Sequence, residues 1–187
     1  MIPSGIYVKT QLEELAEELP LRIEAATPVK VGRNIPHSSA VPEAGAVLHL
    51  SRWAEGWCHI EVAGDSEGVT VVVESLVGRE AVGEVFVCHW EPSTGEYGYT
   101  FFRGGKLLEQ FGVKGPALES VNFVSEVRRV DLQELIRAPD FMKTALQYFG
   151  IPAGTGSPAA ERVRHDISLP GKRSFWRTLL GAAYFRK

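Results

Sequence analysis

Cysteine is nearly missing from this chain: Cys58 and Cys88 are the only two among 187 residues. Two thiols cannot build a disulfide scaffold or a four-cysteine zinc site. The N-terminus, Met1-Ile2-Pro3-Ser4-Gly5, carries neither a basic n-region nor an apolar run of signal length. Together these features point to a reducing, cytoplasmic setting. Long apolar runs are absent as well, and no stretch approaches the roughly 20 residues that span a bilayer. A strong charge of one sign is also lacking. The net charge of −3 and the pI of about 6.0 offer no general attraction to nucleic acid, whose binders present a strongly basic face.

Phosphate loops are missing too. Gly112-Val113-Lys114-Gly115-Pro116 has glycine and lysine without the spacing that cradles phosphate, and Gly154-Thr155-Gly156 follows no buried strand. Gly64-Asp65-Ser66-Glu67-Gly68 has the spacing of a hydrolase nucleophile elbow. The residues after it, Val69-Thr70-Val71-Val72-Val73, predict a strand, which would make the motif a hairpin turn. No cofactor is expected.

What is present is ordinary globular composition, 44% hydrophobic and 23% charged, in a length suited to one domain with a sizeable core. Ile6 to Lys9 reads as a short strand. Thr10 with Glu13 has the form of a capping box, after which Leu12, Leu15, Ala16 and Leu19 repeat at helical spacing until Pro20 stops the run. Glu13, Glu14, Glu17 and Glu18 fill the other side of that helix. Leu21 to Val31 alternates as a strand, and residues 32–45 read as a long loop.

The middle of the chain predicts hairpins. Ala46 to Trp53 and Trp57 to Ala63 flank a three-residue loop whose Gly56 suits a left-handed position. Val69 to Ser75 reads as a further strand, Glu84 to Glu91 returns as Tyr97 to Arg103, and Gly104-Gly105 turns the chain into Lys106 to Phe111. Helices are predicted after Asp131 and from Phe141 to Phe149, the latter ended by Gly150 and Pro152. The fold class is therefore α+β: an antiparallel β-meander of about six to seven strands, with an N-terminal helix and C-terminal helices packed on one face. Residues 1–152 form the domain, 153–160 a linker, and 161–187 a basic aromatic tail, helical at 174–185. From residue 159 onward seven basic residues stand against Glu161 and Asp166, giving +5 and leaving −8 on the rest.

Strand alternation assigns faces. If Trp53 faces Trp57, then Ser51 opposes His59 and His49 opposes Glu61, while Leu48, Leu50, Cys58, Ile60 and Val62 make the core side. The His49, His59 and Glu61 set is metal-capable, and histidine with glutamate can move protons. In the second hairpin Trp90 faces Tyr97, Cys88 faces Tyr99 and Phe86 faces Phe101. Neither Cys58-His59 nor Cys88-His89 brings sulfur and imidazole together, because neighbours on a strand point to opposite faces.

These features favour a non-catalytic binding domain that engages a protein partner, in the manner of small chaperones, immunity proteins and regulators by analogy of class alone. The candidate surface is Trp53, Trp57, His49, His59, Glu61, Trp90, Tyr97 and Tyr99 on the sheet, with Trp176 and Arg177 in the tail. Two rivals remain: a small metal-dependent or hydrolytic enzyme using His49, His59 and Glu61, and a self-associating structural component. Contact of the basic tail with an anionic membrane surface is a lesser expectation.

Overall fold

A computed structural model describes residues 5–22, 26–29, 45–64, 66–77, 82–91, 95–114, 119–120, 124–125, 138–152 and 162–168. The expected helix after Asp131, the loop at 32–44, the linker at 153–160 and the tail from 169 onward lie outside the described residues.

The strands are β1 (Gly5–Val8), β2 (Ala26–Val29), β3 (Gly45–Ala54), β4 (Trp57–Gly64), β5 (Glu84–Glu91), β6 (Glu96–Arg103), β7 (Lys106–Lys114), β8 (Glu119–Ser120), β9 (Val124–Ser125) and β10 (Arg162–Ser168). They form one sheet in the order β2-β10-β3-β4-β1-β5-β6-β7-β8, with β9 also on β7. Every adjacent pair is antiparallel. The fold is α+β, and the hairpins β3-β4 and β5-β6-β7 give it its meander character.

The first strand sits at the centre, with Ile6 opposite Ile60 on one side and Val87 on the other. Since β4 and β5 are both antiparallel to β1, they run parallel to each other. Parallel strands cannot be joined by a tight turn and need a crossover. That crossover is the helix α2 (Ser66–Val77), so the strand expected at Val69 to Ser75 is a helix instead. Val72, Val73, Leu76 and Val77 form its buried stripe at helical spacing. The hydroxyl of Ser75 donates to the Val71 carbonyl one turn back, at 2.7 Å. Burial of this stripe overrides the β preference of Val69 to Val73.

The same logic applies to the helix α1 (Leu12–Arg22), which leaves β1 and delivers the chain to β2, a strand running in the same direction. Pro20 lies within its last turn rather than ending it. The expected capping box is not made. The Leu15 N–H donates to the Gln11 carbonyl at 3.0 Å, and the Thr10 hydroxyl donates to the Glu14 carboxylate at 3.1 Å. With β2 set aside, β1-α1-β3-β4-α2-β5 is a split β-α-β arrangement, widened by β6-β7 on one side and by β10-β2 on the other.

Both crossover helices pack on one face. Leu12, Leu15 and Leu19 of α1 join Val72, Val73 and Leu76 of α2 over Ile6, Val8, Leu48, Leu50, Cys58, Ile60, Val85 and Phe102. The C-terminal helix α3 (Phe141–Tyr148) lies on the opposite face, so the helices make two layers rather than the single one expected. Its Asp140 carboxylate accepts from the Lys143 N–H at 3.0 Å as an N-cap, and Gly150 takes a left-handed φ of 68° after it.

Residues 162–168, read from sequence as the start of a tail, are the strand β10. It is inserted between β2 and β3, with Arg164 paired to His49 and to Val29. The sheet thus recruits seven residues from beyond the expected linker.

Candidate binding surface

The β3-β4 register follows the predicted one through most of its length. His49 pairs with Glu61, Ser51 with His59 and Leu50 with Ile60. It departs at the turn, where Ala54 rather than Trp53 pairs with Trp57 and the ladder is irregular between Arg52 and Ala54. The loop shortens to Glu55-Gly56, with Gly56 at a φ of 72°.

His59 is buried, its ring centroid 4.8 Å from that of Tyr7 and 5.8 Å from that of Trp53. Trp53 meets Tyr7 edge-on at 5.1 Å and donates its indole N–H to the Pro152 carbonyl at 2.8 Å. Trp57 is buried, with the Lys9 ammonium 6.0 Å from its ring centroid. His59 and Trp57 are therefore packing residues that join the hairpin to β1, and Trp53 fastens the end of the α3 segment to the sheet. His49, Ser51 and Glu61 stay half-buried on this face.

These side chains do not converge on a metal centre. Among the described residues no group of three or more His, Cys, Asp and Glu is gathered for an ion, and His59 is packed against Tyr7 and Trp53 rather than turned towards His49 and Glu61 as a set of ligands. Sharing a face is not enough when one member is spent in an aromatic cluster.

The second hairpin keeps its predicted register in full, from Glu84 with Arg103 through Phe86 with Phe101, Cys88 with Tyr99 and Trp90 with Tyr97 to Glu91 with Glu96. Its aromatic face is covered. Met142, Ala145, Leu146, Phe149 and Ile151 close over Phe86, Tyr99, Phe101 and Phe111, and Phe149 lies 4.6 Å from Phe101 and 5.0 Å from Phe86. Tyr99 is wholly buried and has no surface to offer a partner. Tyr97 is half-buried against Phe141 at 4.5 Å, and this partial burial raises its phenol pKa. Trp90 is placed by register alone, while Trp176 and Arg177 lie outside the described residues.

The two thiols occupy opposite faces of the sheet, Cys58 under α1 and Cys88 in the aromatic layer. They cannot bond to each other. Cys58 donates to the Thr10 carbonyl at 3.3 Å. Burial pushes its pKa up to about 11; Arg52 opposes the rise, and Glu13 and Glu14 add to it. Burial likewise pushes Cys88 well above the ordinary thiol range. Neither is poised as a nucleophile.

The Gly64 to Gly68 segment is not the hairpin turn that the sequence suggests, since it joins β4 to α2. A strand followed by a helix is the setting a nucleophile elbow needs. The hydrolase elbow, however, stands on an α/β-hydrolase sheet, and every adjacent pair here is antiparallel.

Three residues passed over in the sequence prove important. Tyr7 is the centre of the aromatic cluster, and the alternation Ile6-Tyr7-Val8 already set it apart from the core side. Glu84 is a hub. It accepts from Arg103 Nε at 2.8 Å and from Lys9 Nζ at 3.2 Å, tying β1, β5 and β6 together. Burial raises its pKa, but the Arg103 and Lys9 bonds outweigh that effect and hold it below the ordinary value. Glu109 is buried in the aromatic layer and accepts from the Tyr99 hydroxyl; nothing short of three-dimensional packing pointed to it.

No family model, no curated protein and no solved structure matches this chain. No helix among the described residues is long and apolar enough to cross a membrane.

Proposed function

We propose that this chain is a non-catalytic binding domain that engages a protein partner through the half-open part of the sheet around His49, Ser51 and Glu61, with Trp53 at its margin. One observation carries this reading. Among the described residues Cys58, His59, Cys88, Tyr99 and Glu109 are each buried in packing, whereas His49, Ser51 and Glu61 remain partly accessible on adjoining strands. An antiparallel ladder holds such residues in fixed relative positions at little entropic cost, which suits recognition. Two buried thiols on opposite faces fit a reducing, cytoplasmic setting.

The test uses the full chain with a photo-crosslinking residue at Ser51 or, as a control on the opposite layer, at Glu17. A partner captured from Ser51 and not from Glu17 is purified and its affinity measured. Glu61→Lys should weaken binding at least tenfold, and Glu17→Lys should leave it unchanged. Capture only from Glu17 overturns the assigned surface. Substrate turnover lost in His49→Ala, or stoichiometric metal in the purified protein, overturns the non-catalytic reading. Concentration-dependent self-association abolished by Glu61→Lys replaces the foreign partner with a second copy.

A further inference from the structure

We draw no further inference here: the strongest candidate, the polar row of His89, Thr100 and Gln110 on the α1/α2 face of β5, β6 and β7, where the buried Gln110 Nε2 has no hydrogen-bond partner among the described residues, carries no proposal because nothing in the structure shows what covers it.

Discussion

The hydroxyl of Tyr99 donates to Oε1 of Glu109 across 2.5 Å inside the aromatic layer, and one extra residue in β7 makes that contact possible. Phe102 pairs with Leu107 but Phe101 pairs with Glu109, so Leu108 is the bulged residue. A regular ladder would have put Glu109 opposite Thr100, on the other face. The bulge turns the carboxylate towards Tyr99, and burial followed by the Glu109 bond and charge holds the phenol pKa far above its usual value.

Removing that hydroxyl leaves the buried carboxylate short of a donor. Tyr99→Phe should cost about 2–3 kcal/mol by urea denaturation, more than an ordinary hydroxyl deletion. The double variant Tyr99→Phe with Glu109→Leu should be more stable than the sum of the two single changes, because an apolar pair buries no charge. Simple additivity would mean that the two groups do not act as a pair.

Gly5 is pressed against its neighbours. A Cβ there would collide with Nε2 of His59 and lie 2.8 Å from the Ile60 carbonyl oxygen. Gly5→Ala should therefore lose about 1–3 kcal/mol in thermal unfolding, as overpacked sites do. Adding His59→Ala should recover only part of the loss, since the Ile60 backbone cannot withdraw.

The tight turns differ in how strictly they need glycine. Gly56 has a φ of 72° with open space around it, whereas Gly105 has a φ of 76° and a Cβ would lie 2.9 Å from the Val77 carbonyl at the end of α2. Gly56→Ala should cost about 1–2 kcal/mol, the penalty of a left-handed residue. Gly105→Ala should cost clearly more, and equal melting temperatures for the two variants would refute the contact with α2.

Acid should destabilise the protein over two successive pH windows. Burial lowers the His89 pKa from 6.5 to about 4, against a smaller opposing effect of Glu96. The unfolded chain therefore binds a proton that the folded one refuses, and stability falls by up to about 3 kcal/mol as pH drops from 6.5 to 4. Glu84, whose folded pKa is depressed, contributes above 4.5 and is lost as pH falls further. Urea titrations at successive pH values should show His89→Gln flattening the first limb and Glu84→Gln flattening the second.

Both thiols should resist a thiol reagent in the native protein and react together in denaturant. Their burial on opposite faces suppresses the thiolate and blocks access. Oxidation should produce no intramolecular disulfide in the folded chain, which intact-mass measurement would read directly.

The legible part of the fold was local. Gly56 and Gly104-Gly105 mark their turns, and the alternation on either side specifies which residues face each other, so the β5-β6 register and most of β3-β4 could be read outright. The Phe141 helix was equally plain from its apolar spacing, its Gly150 stop and Pro152. The candidate surface was legible as a list of face-sharing residues but not as a site. Whether Tyr99 is open depends on the helix that lies above it, and whether His59 is spent depends on the β1 and β3 rings beside it.

The amino-acid sequence by itself determined the hairpins, the glycines that mark their turns and most of the division of each strand into two faces, because turn preference and a two-residue period act over a few neighbours. Only the tertiary structure decided that Val69 to Ser75 is helical, since β1 enters between β4 and β5, makes them parallel and forces a crossover. It alone drew Arg162–Ser168 into the sheet and laid α3 over the aromatic face. It also used one bulge at Leu108 to bury Glu109 beside Tyr99. Each of these rests on contacts between residues far apart in the chain, where burial of apolar surface outweighs the local preferences that a sequence displays.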